Sequence, residues 1–512
     1  MNTSLPTSSL SDSSLIAPVV WTIAASDSSG GAGIQADLTT FFDLGVRGCS
    51  AITAITAQNS QGVHHIDAVS PVMLQQQLTA LSQDGMPQAI KIGVLPLVES
   101  IECVLAALAL LAESARRPCP VILDTVLSPT SGESFSSHET RQALLSLLPY
   151  VDLLTPNIPE AEALTGLTIT DTATQLMAAQ QLVDLGATAV LVKGGHGDTA
   201  FCQDVFYSTA LDEPPVFWLT QSKQETMHTH GTGCTLSSAI AAFIAHQKSV
   251  RDAVVLGNAY VNKGIRLATS LDPQGQKKGA VAHTGWPSHF SDFPQVSVLP
   301  EAINHMALPV CDTHQLGLYP VVDSIEWLER LLVLGVKTIQ LRVKDIPEAK
   351  LAPMIEQAAQ LGHRYDARLF INDYWQLAIR YNAYGVHLGQ EDMIDADVDA
   401  IRNAGLHLGI STHGEYELSY AATFKPSYLA IGAVFPTDTK EVIEVGIDNL
   451  YGWTRIMSGY YPLVAIGGIN QSNIESVLGS GVGSVAVVSA ITKADDYQQS
   501  VSELTTLIQR YQ

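Results

Sequence analysis

Between Leu318 and the C-terminus one pattern recurs eight times: a short apolar run, then a stretch with helical spacing. The runs are Leu318–Asp323, Lys337–Lys344, Arg368–Asp373, Tyr384–Asp392, Leu406–His413, Ser427–Phe435, Pro462–Asn470 and Gly483–Ile491. Strand–helix units in this number close into a (β/α)8 TIM barrel, whose active site gathers at the C-terminal ends of its strands. The residues able to do chemistry lie at those ends: Arg342 and Lys344, Asn372 and Asp373, Asp392, Ser411, then Thr437 through Lys440. A structural repeat alone does not require that placement, so this half reads as an enzyme.

At 512 residues, one barrel leaves room for a second domain of ordinary size. The formal net charge of −23 argues against nucleic acid, which is gripped by clustered Lys and Arg. A small anion remains compatible, because a helix N-terminus and a few basic residues suffice to hold one. Six cysteines, at 49, 103, 119, 202, 234 and 311, form no CxxC pair, as expected of a reduced cytoplasmic protein. Residues 1–17 lack the basic start and apolar core of a signal peptide and are expected to be a flexible tail. The apolar stretch Val98–Ala115 is interrupted by Glu99, Glu102 and Glu113, which predicts a buried soluble helix and no membrane span. A homo-oligomer is compatible with the sequence, which does not specify one.

Residues 284–316 read as a linker, with Trp286-Pro287, Phe293-Pro294, Leu299-Pro300 and Leu308-Pro309 and weak periodicity; Pro300–Met306 could make a helical turn or two. Before it, strands are predicted at Val19–Ala25, Ala89–Leu95, Val121–Val126, Val151–Thr155 and Ala189–Lys193 with helices between. Thr199–Tyr207 and Pro215–Thr220 suggest an antiparallel addition. The expectation is an open α/β sheet flanked by helices. Two glycine sites punctuate it. Gly30-Gly31-Ala32-Gly33 lacks the Lys-Ser/Thr pair of a P-loop, and a tight turn explains it about as well as a ligand loop. His230-Gly231-Thr232-Gly233-Cys234-Thr235 opens the apolar helix Leu236–His246. Backbone N–H groups there could face an anion at the positive helix end, although taken alone the pattern slightly favours a helix capped by Thr232 or Thr235.

Taken together, six segments resemble the hydroxymethylpyrimidine (phosphate) kinases of the ribokinase-like superfamily, over residues 18–283. They are Ser26–Asp37, Thr53–Asn59, Lys91–Gly93, Thr155–Glu160, Lys193–His196 and His230–Thr235, in family order. The resemblance implies a three-layer α/β domain using ATP and Mg2+. It implies that Gln58 reads the aminopyrimidine, whose ring nitrogen and amino group match a carboxamide, with Asp37 also on the substrate side. Asn157 and Glu160 would organise hydrated magnesium. Lys193, with the Gly231, Thr232 and Gly233 backbone, would hold nucleotide phosphate. Cys234 stands where most of the superfamily has an Asp base. A thiol at a helix start can have a lowered pKa and accept the substrate hydroxyl proton, whereas an inert buried Cys is the competing role. Val94 departs from the Met commonly found there.

The barrel, residues 317–512, resembles thiamine-phosphate synthase over its whole length. Gln340–Lys344, Ile371–Asp373, Gly385–Asp392, Gly409–His413, Phe435–Lys440, Ala465–Ile469 and Val487–Ser489 carry the likeness. That family joins hydroxymethylpyrimidine diphosphate to a thiazole phosphate and releases diphosphate, so one half would make the other's substrate. The resemblance assigns Asp373 and Asp392 to magnesium, and Arg342, Lys344 and Lys440 to the departing diphosphate. Gln340, Leu341, Arg342, Val343, Lys344, Asn372 and Ser411 fall on the pyrimidine-diphosphate side. Thr437, Asp438, Thr439, Gly468, Val488 and Ser489 fall on the thiazole-phosphate side. Asp438 replaces the middle Thr of the usual Thr-Thr-Thr-Lys, which leaves its role open. Either acid alone could instead be a helix N-cap. A tautomerase barrel, a pyridoxal-type kinase and a non-catalytic sensor are the alternatives; the retained barrel residues argue against the first and the intact motifs in both halves against the third, while Gln58 with Cys234 argues for pyrimidine and leaves promiscuity open.

Overall fold

The computed structural model describes residues 17–59, 62–114, 119–127, 137–194, 200–210, 214–270, 278–300, 305–311, 315–344, 346–437 and 444–511. The chain divides into two compact units. One comprises Met1–Gly194, Val205–Pro215 and Gln224–Trp286; the other comprises Gly195–Asp204, Val216–Lys223 and Pro287–Gln512.

The first part of the chain alternates strand and helix: β1 (Val19–Asp27), α1 (Gly33–Asp43), β2 (Arg47–Asn59), β3 (Gly62–Ala68), α2 (Pro71–Asp84), β4 (Ala89–Ile92), α3 (Val98–Ser114), β5 (Val121–Leu123), α4 (His138–Leu145), β6 (Leu153–Leu154), α5 (Ile158–Thr165), α6 (Thr172–Asp184), β7 (Ala189–Val192), β8 (Phe201–Ser208), β9 (Val216–Ser222), α7 (Thr232–Ala245), α8 (Val250–Leu267) and β10 (Gln295–Ser297). The sheet order is β10-β9-β8-β7-β6-β5-β4-β1-β2-β3. Strands β2, β1, β4, β5, β6 and β7 are parallel, and β3 and β8 run antiparallel to their inner neighbours. The central strands are buried on both faces, which explains their continuous apolar runs.

Strand β1 has β2 on one side and β4 on the other, so the connections leave it in opposite directions. Such a switch point opens a crevice beyond the strands' C-terminal ends. The β2–β3 hairpin was not among the predicted strands. Its Gly, Cys, Ser, Thr and Ala residues give little apolar alternation to read. The segment expected to be a linker contains β10, paired antiparallel with β9. Pro300–Met306, where a helical turn was expected, lies partly outside the described residues.

The second part is a closed parallel barrel of β11 (Gly317–Val322), β12 (Thr338–Leu341), β13 (Arg368–Asn372), β14 (Gly385–Leu388), β15 (His407–Thr412), β16 (Tyr428–Ile431), β17 (Leu463–Ala465) and β18 (Ser484–Val487). Around it run α9 (Ile325–Val333), α10 (Glu348–Arg364), α11 (Trp375–Arg380), α12 (Val398–Asn403), α13 (Glu415–Thr423), α14 (Ile447–Met457), α15 (Ile474–Leu478), α16 (Ser489–Thr492) and α17 (Tyr497–Tyr511). Every predicted apolar run contains one of these strands.

Register decides which side chains face the barrel interior. Tyr319, Phe370, Tyr428, Ala430, Val464 and Ala486 form the inner core. Gln340 pairs with Phe370, Asn372 with His387, His387 with Gly409, and Ser411 with Ala430. Paired residues share a face, so Gln340, Asn372, His387 and Ser411 all point inward.

Candidate functional site

In the first half, the crevice at the switch point is built by two glycine turns. Asp27, at the end of β1, folds the first turn around itself. Its Oδ1 accepts from the Ser29 N–H at 2.8 Å, and its Oδ2 accepts from the Ala32 N–H at 2.8 Å. The same Oδ2 lies 3.1 Å from His230 Nε2, which ties this turn to the second one. Burial works against the Asp27 charge, but His230 and Ser29 outweigh it and hold the carboxyl below its ordinary value. Gly231 has φ +80°, and a Cβ there would collide with the Gly31 carbonyl oxygen. Only glycine lets the two loops close this tightly.

Helix α7 starts at Thr232 directly after this contact, with Gly231 as N-cap and no side-chain cap bond. The alternative of a Thr-capped helix is therefore not what the structure forms, and the helix-start N–H groups are not taken up by a cap side chain. Cys234 lies in this first turn, where the Gly33 N–H favours its charged form. The expectation of a lowered thiol pKa is corrected. Burial pushes the thiol up to about 11, Lys91 opposes this, and Asp124 and Asp37 add to it.

Lys193, just past β7, is 3.2 Å from Asp124 Oδ1. Burial alone would lower its pKa, but Asp124 and Glu160 more than compensate and the ammonium is held above its usual value. A Cβ on Gly233 would lie 3.5 Å from Lys193 Nζ, so this cation stands beside the α7 start. Asp124 was missed by sequence reasoning. It follows β5 immediately, 1% exposed, and its Oδ2 has no hydrogen-bond partner among the described residues. A lone acid after an apolar strand was the available signal.

Asn157 and Glu160 form a capping box on α5: Glu160 N–H donates to Asn157 Oδ1, and Asn157 N–H donates to Glu160 Oε2, each at 2.9 Å. Thr125 Oγ1 also donates to Glu160 Oε2, at 2.8 Å. The motif thus has a structural duty of its own. Gln58 closes β2, where its backbone N–H and carbonyl exchange hydrogen bonds with the Ser28 hydroxyl at 2.9 and 2.7 Å. This sets the carboxamide beside the first glycine turn. Asp37 is corrected: its carboxylate is fully buried and bound by Lys91, Thr22 and Ser238, which removes it from any substrate.

In the barrel, Gln340 Nε2 donates to Asn372 Oδ1 at 2.8 Å across neighbouring strands. Ser411 Oγ is 2.8 Å from His387 Nε2, whose Nδ1 is 2.8 Å from the Tyr428 hydroxyl, which in turn is 2.8 Å from that of Tyr319. Gln390 Nε2 donates to the Ser411 carbonyl at 2.6 Å. His387 thus fixes Ser411 from within the wall, a role the sequence reading did not assign. Its inward parity on β14 was the readable signal.

Asp373 and Asp392 lie close enough for each charge to act on the other. Burial and the Asp392 charge push Asp373 up to about 6, with Lys344 and Arg342 opposing. Neither acid is a helix N-cap: α11 is capped at Tyr374 and α12 at Asp397. Two acids coupled in this way beside two cations can share a proton or hold a cation. Among the described residues no group of three or more His, Cys, Asp or Glu is placed to hold a metal. Two carboxylates nevertheless suit magnesium, which takes its remaining ligands from water and substrate phosphates.

Gly468, φ +65°, packs against the β16 exit, since a Cβ there would lie 2.5 Å from the Pro436 carbonyl oxygen. The turn after β17 is thereby set against the segment leading to Thr437. Val488 and Ser489 begin α16 beyond β18. Leu341 and Val343 are corrected: they are 1% and 3% exposed and pack in the wall, so their side chains do not reach a ligand. Asp438, Thr439 and Lys440 lie outside the described residues.

Two family models match the chain: phosphomethylpyrimidine kinase at residues 27–281 and thiamine monophosphate synthase at residues 308–491. The thiamine-phosphate synthase of Serratia proteamaculans is 55% identical over 198 residues, covering 38% of this chain and 93% of that protein. The chain belongs to the thiamine-phosphate synthase family. A second synthase, from Photorhabdus laumondii, is 54% identical over 198 residues, 38% of this chain and 91% of that one. Among solved structures, the phosphomethylpyrimidine kinase of Clostridium difficile has 34% identity and a TM-score of 0.42, over 48% of this chain and 99% of its own. A pyridoxal kinase of Staphylococcus aureus in complex with ADP has 29% identity and a TM-score of 0.49, over 56% of this chain and 99% of its own. The chain is a bifunctional thiamine-biosynthesis enzyme, joining a phosphomethylpyrimidine kinase domain to a thiamine-phosphate synthase barrel. Among the described residues no helix is long and apolar enough to cross a membrane.

Proposed function

We propose that residues 18–283 phosphorylate 4-amino-5-hydroxymethyl-2-methylpyrimidine and then its monophosphate with ATP. Residues 317–512 then couple the resulting diphosphate to 4-methyl-5-(2-phosphoethyl)thiazole, giving thiamine phosphate and diphosphate. The observation that carries this reading is the electrostatic coupling of Asp373 to Asp392, Lys344 and Arg342. Two acids beside two cations would make a cation site next to anion-binding groups, and a diphosphate leaving group needs both.

In the kinase half, Gln58 recognises the aminopyrimidine, and the α7 N-terminus with Lys193 takes the transferring phosphoryl charge. Cys234, in its thiolate form, accepts the substrate hydroxyl proton. Asp124 Oδ2 is the acceptor left for a water of hydrated magnesium, with Asn157 and Glu160 shaping that side of the site. In the barrel, magnesium held by Asp373 and Asp392 would neutralise the diphosphate. Arg342, Lys344 and Lys440 absorb the charge that grows on the leaving oxygen, and Gln340, Asn372 and Ser411 orient the pyrimidine end. Thr437, Thr439, Gly468, Val488 and Ser489 lie on the thiazole-phosphate side. The setting for this chemistry is the cytoplasm.

The test is product analysis. Full-length protein is supplied with the pyrimidine alcohol, ATP, magnesium and thiazole phosphate, and thiamine phosphate is followed with ATP or magnesium left out in turn. Thiamine phosphate formed without ATP, or none formed with everything present, would refute the reading.

A further inference from the structure

Among the described residues, the most deeply buried ion pair of the kinase half joins its sheet to α1. Lys91 stands on β4 in register with Thr22 of β1, and its Nζ donates to Asp37 Oδ1 and Oδ2 at 3.0 and 2.9 Å. Thr22 Oγ1 and Ser238 Oγ each donate to the same carboxylate at 2.6 Å. A buried pair of this kind adds little net stability over an apolar one, so its position needs another account. Ser238 is one helical turn beyond Cys234, so Asp37 holds the face of α7 that carries the thiol. Lys91 Nζ reaches toward the C-terminal rim of the sheet, 3.1 Å from where a Cβ on Gly93 would lie. Helix α7 packs against β4 on that side.

We propose that the Lys91–Asp37 pair is a positioning element of the phosphoryl-transfer site: Asp37 fixes the α7 face bearing Cys234, and the Lys91 ammonium supplies the positive charge that favours its thiolate. The proposal rests on the reading of Cys234 as the base. The charged groups that act on the thiol are Lys91 from β4, Asp37 from α1, Asp124 after β5 and Lys193 after β7. The Asp27–His230 pair sits on the adjoining turns. Lys91 is the foremost of the charged influences and opposes burial; Asp124 and Asp37 reinforce burial. During transfer the substrate oxygen bonds to the γ-phosphorus, and the bond from that phosphorus to ADP breaks with its electron pair leaving on ADP. The hydroxyl proton passes to Cys234 Sγ, which accepts it only as the thiolate and becomes the neutral thiol.

The test reads the thiol directly. Alkylation of Cys234 by iodoacetamide is followed against pH in the full chain without nucleotide, by mass spectrometry of the peptide that contains it. Lys91→Met should move the alkylation midpoint upward by a pH unit or more, slowing alkylation at pH 8 about tenfold. Asp37→Asn should move it downward. A pair that only packs would shift both variants in the same direction, through a loosened fold. Lys91→Met leaves Asp37 buried without a counter-ion and can prevent folding. The double variant Lys91→Met with Asp37→Asn buries no unpaired charge and should still titrate above the parent, because Lys91 outweighs Asp37. Same-direction shifts in the single variants, or an unshifted double variant, overturns the proposal. If Cys234→Ala keeps full kinase turnover while the double variant still shifts, the base assignment fails and the charge device stands.

Discussion

Removing one acid of the barrel dyad should change how pH acts on the fold and on magnesium. Asp373 is raised from 3.8 to about 6 by burial and by Asp392. A carboxyl with a raised pKa holds its proton more tightly when folded than when unfolded. Its contribution to stability is therefore greatest at low pH and is lost as pH rises from about 4 to about 6. The interval is worth about 3 kcal/mol at most; Asp373 is only half-buried, and solvent screening reduces the expected figure to about 1–2 kcal/mol. For a barrel of this size that is roughly 2–8 °C in Tm. Asp392→Asn removes the like charge and should flatten this part of the profile. Magnesium competes with the shared proton, so its apparent affinity in the parent should fall about tenfold per pH unit below 6. Calorimetry of both proteins from pH 4.5 to 7.5, with and without magnesium, measures the two effects in the transition that thiamine phosphate shifts. Identical profiles for parent and variant, or a magnesium affinity equal at pH 5 and 7.5, would refute the reasoning.

Cys234→Ala should suppress phosphorylation at least a hundredfold, on the scale of a lost general base, while supplied pyrimidine diphosphate is still coupled; near-parent kinase turnover would leave catalysis to the helix start. Gly231→Ala should cost about 2 kcal/mol or more, because it combines a strained φ with a backbone collision, and chemical denaturation would detect an unchanged midpoint. Tyr428→Phe should cost about 1–3 kcal/mol by leaving buried partners unsatisfied. It should also lower coupling kcat more than pyrimidine-diphosphate binding, which single-turnover assays beside binding titrations would separate.

The barrel was legible because its period is strong: each strand is a short apolar run and each polar residue at its end breaks that run. The kinase sheet was legible at Ala89–Ile92 and Ala189–Val192 for the same reason, whereas the small residues of Arg47–Asn59 conceal a long strand. Local motifs picked out Cys234, Lys193, Asp373 and Asp392 as candidates. They misassigned Asp37, because only the fold reveals that Lys91, 54 positions later, closes on it. Asp124 and His387 escaped for a related reason. Their significance comes from what the sheets bring beside them, a lysine after β7 in one case and a serine on β15 in the other. Leu341 and Val343 were included by adjacency to Gln340 and Arg342, although strand alternation turns neighbours to opposite faces.

Gly409 lies in register with Tyr428, and a side chain there would run into the tyrosine ring. The two positions are therefore not free to diverge independently across a lineage. Any descendant that gains a methyl at 409 must shrink or displace residue 428, and with it goes the hydroxyl that reaches His387. Substitutions at 409 and 428 should appear as linked pairs in natural variation, and those pairs should carry compensating changes at 387.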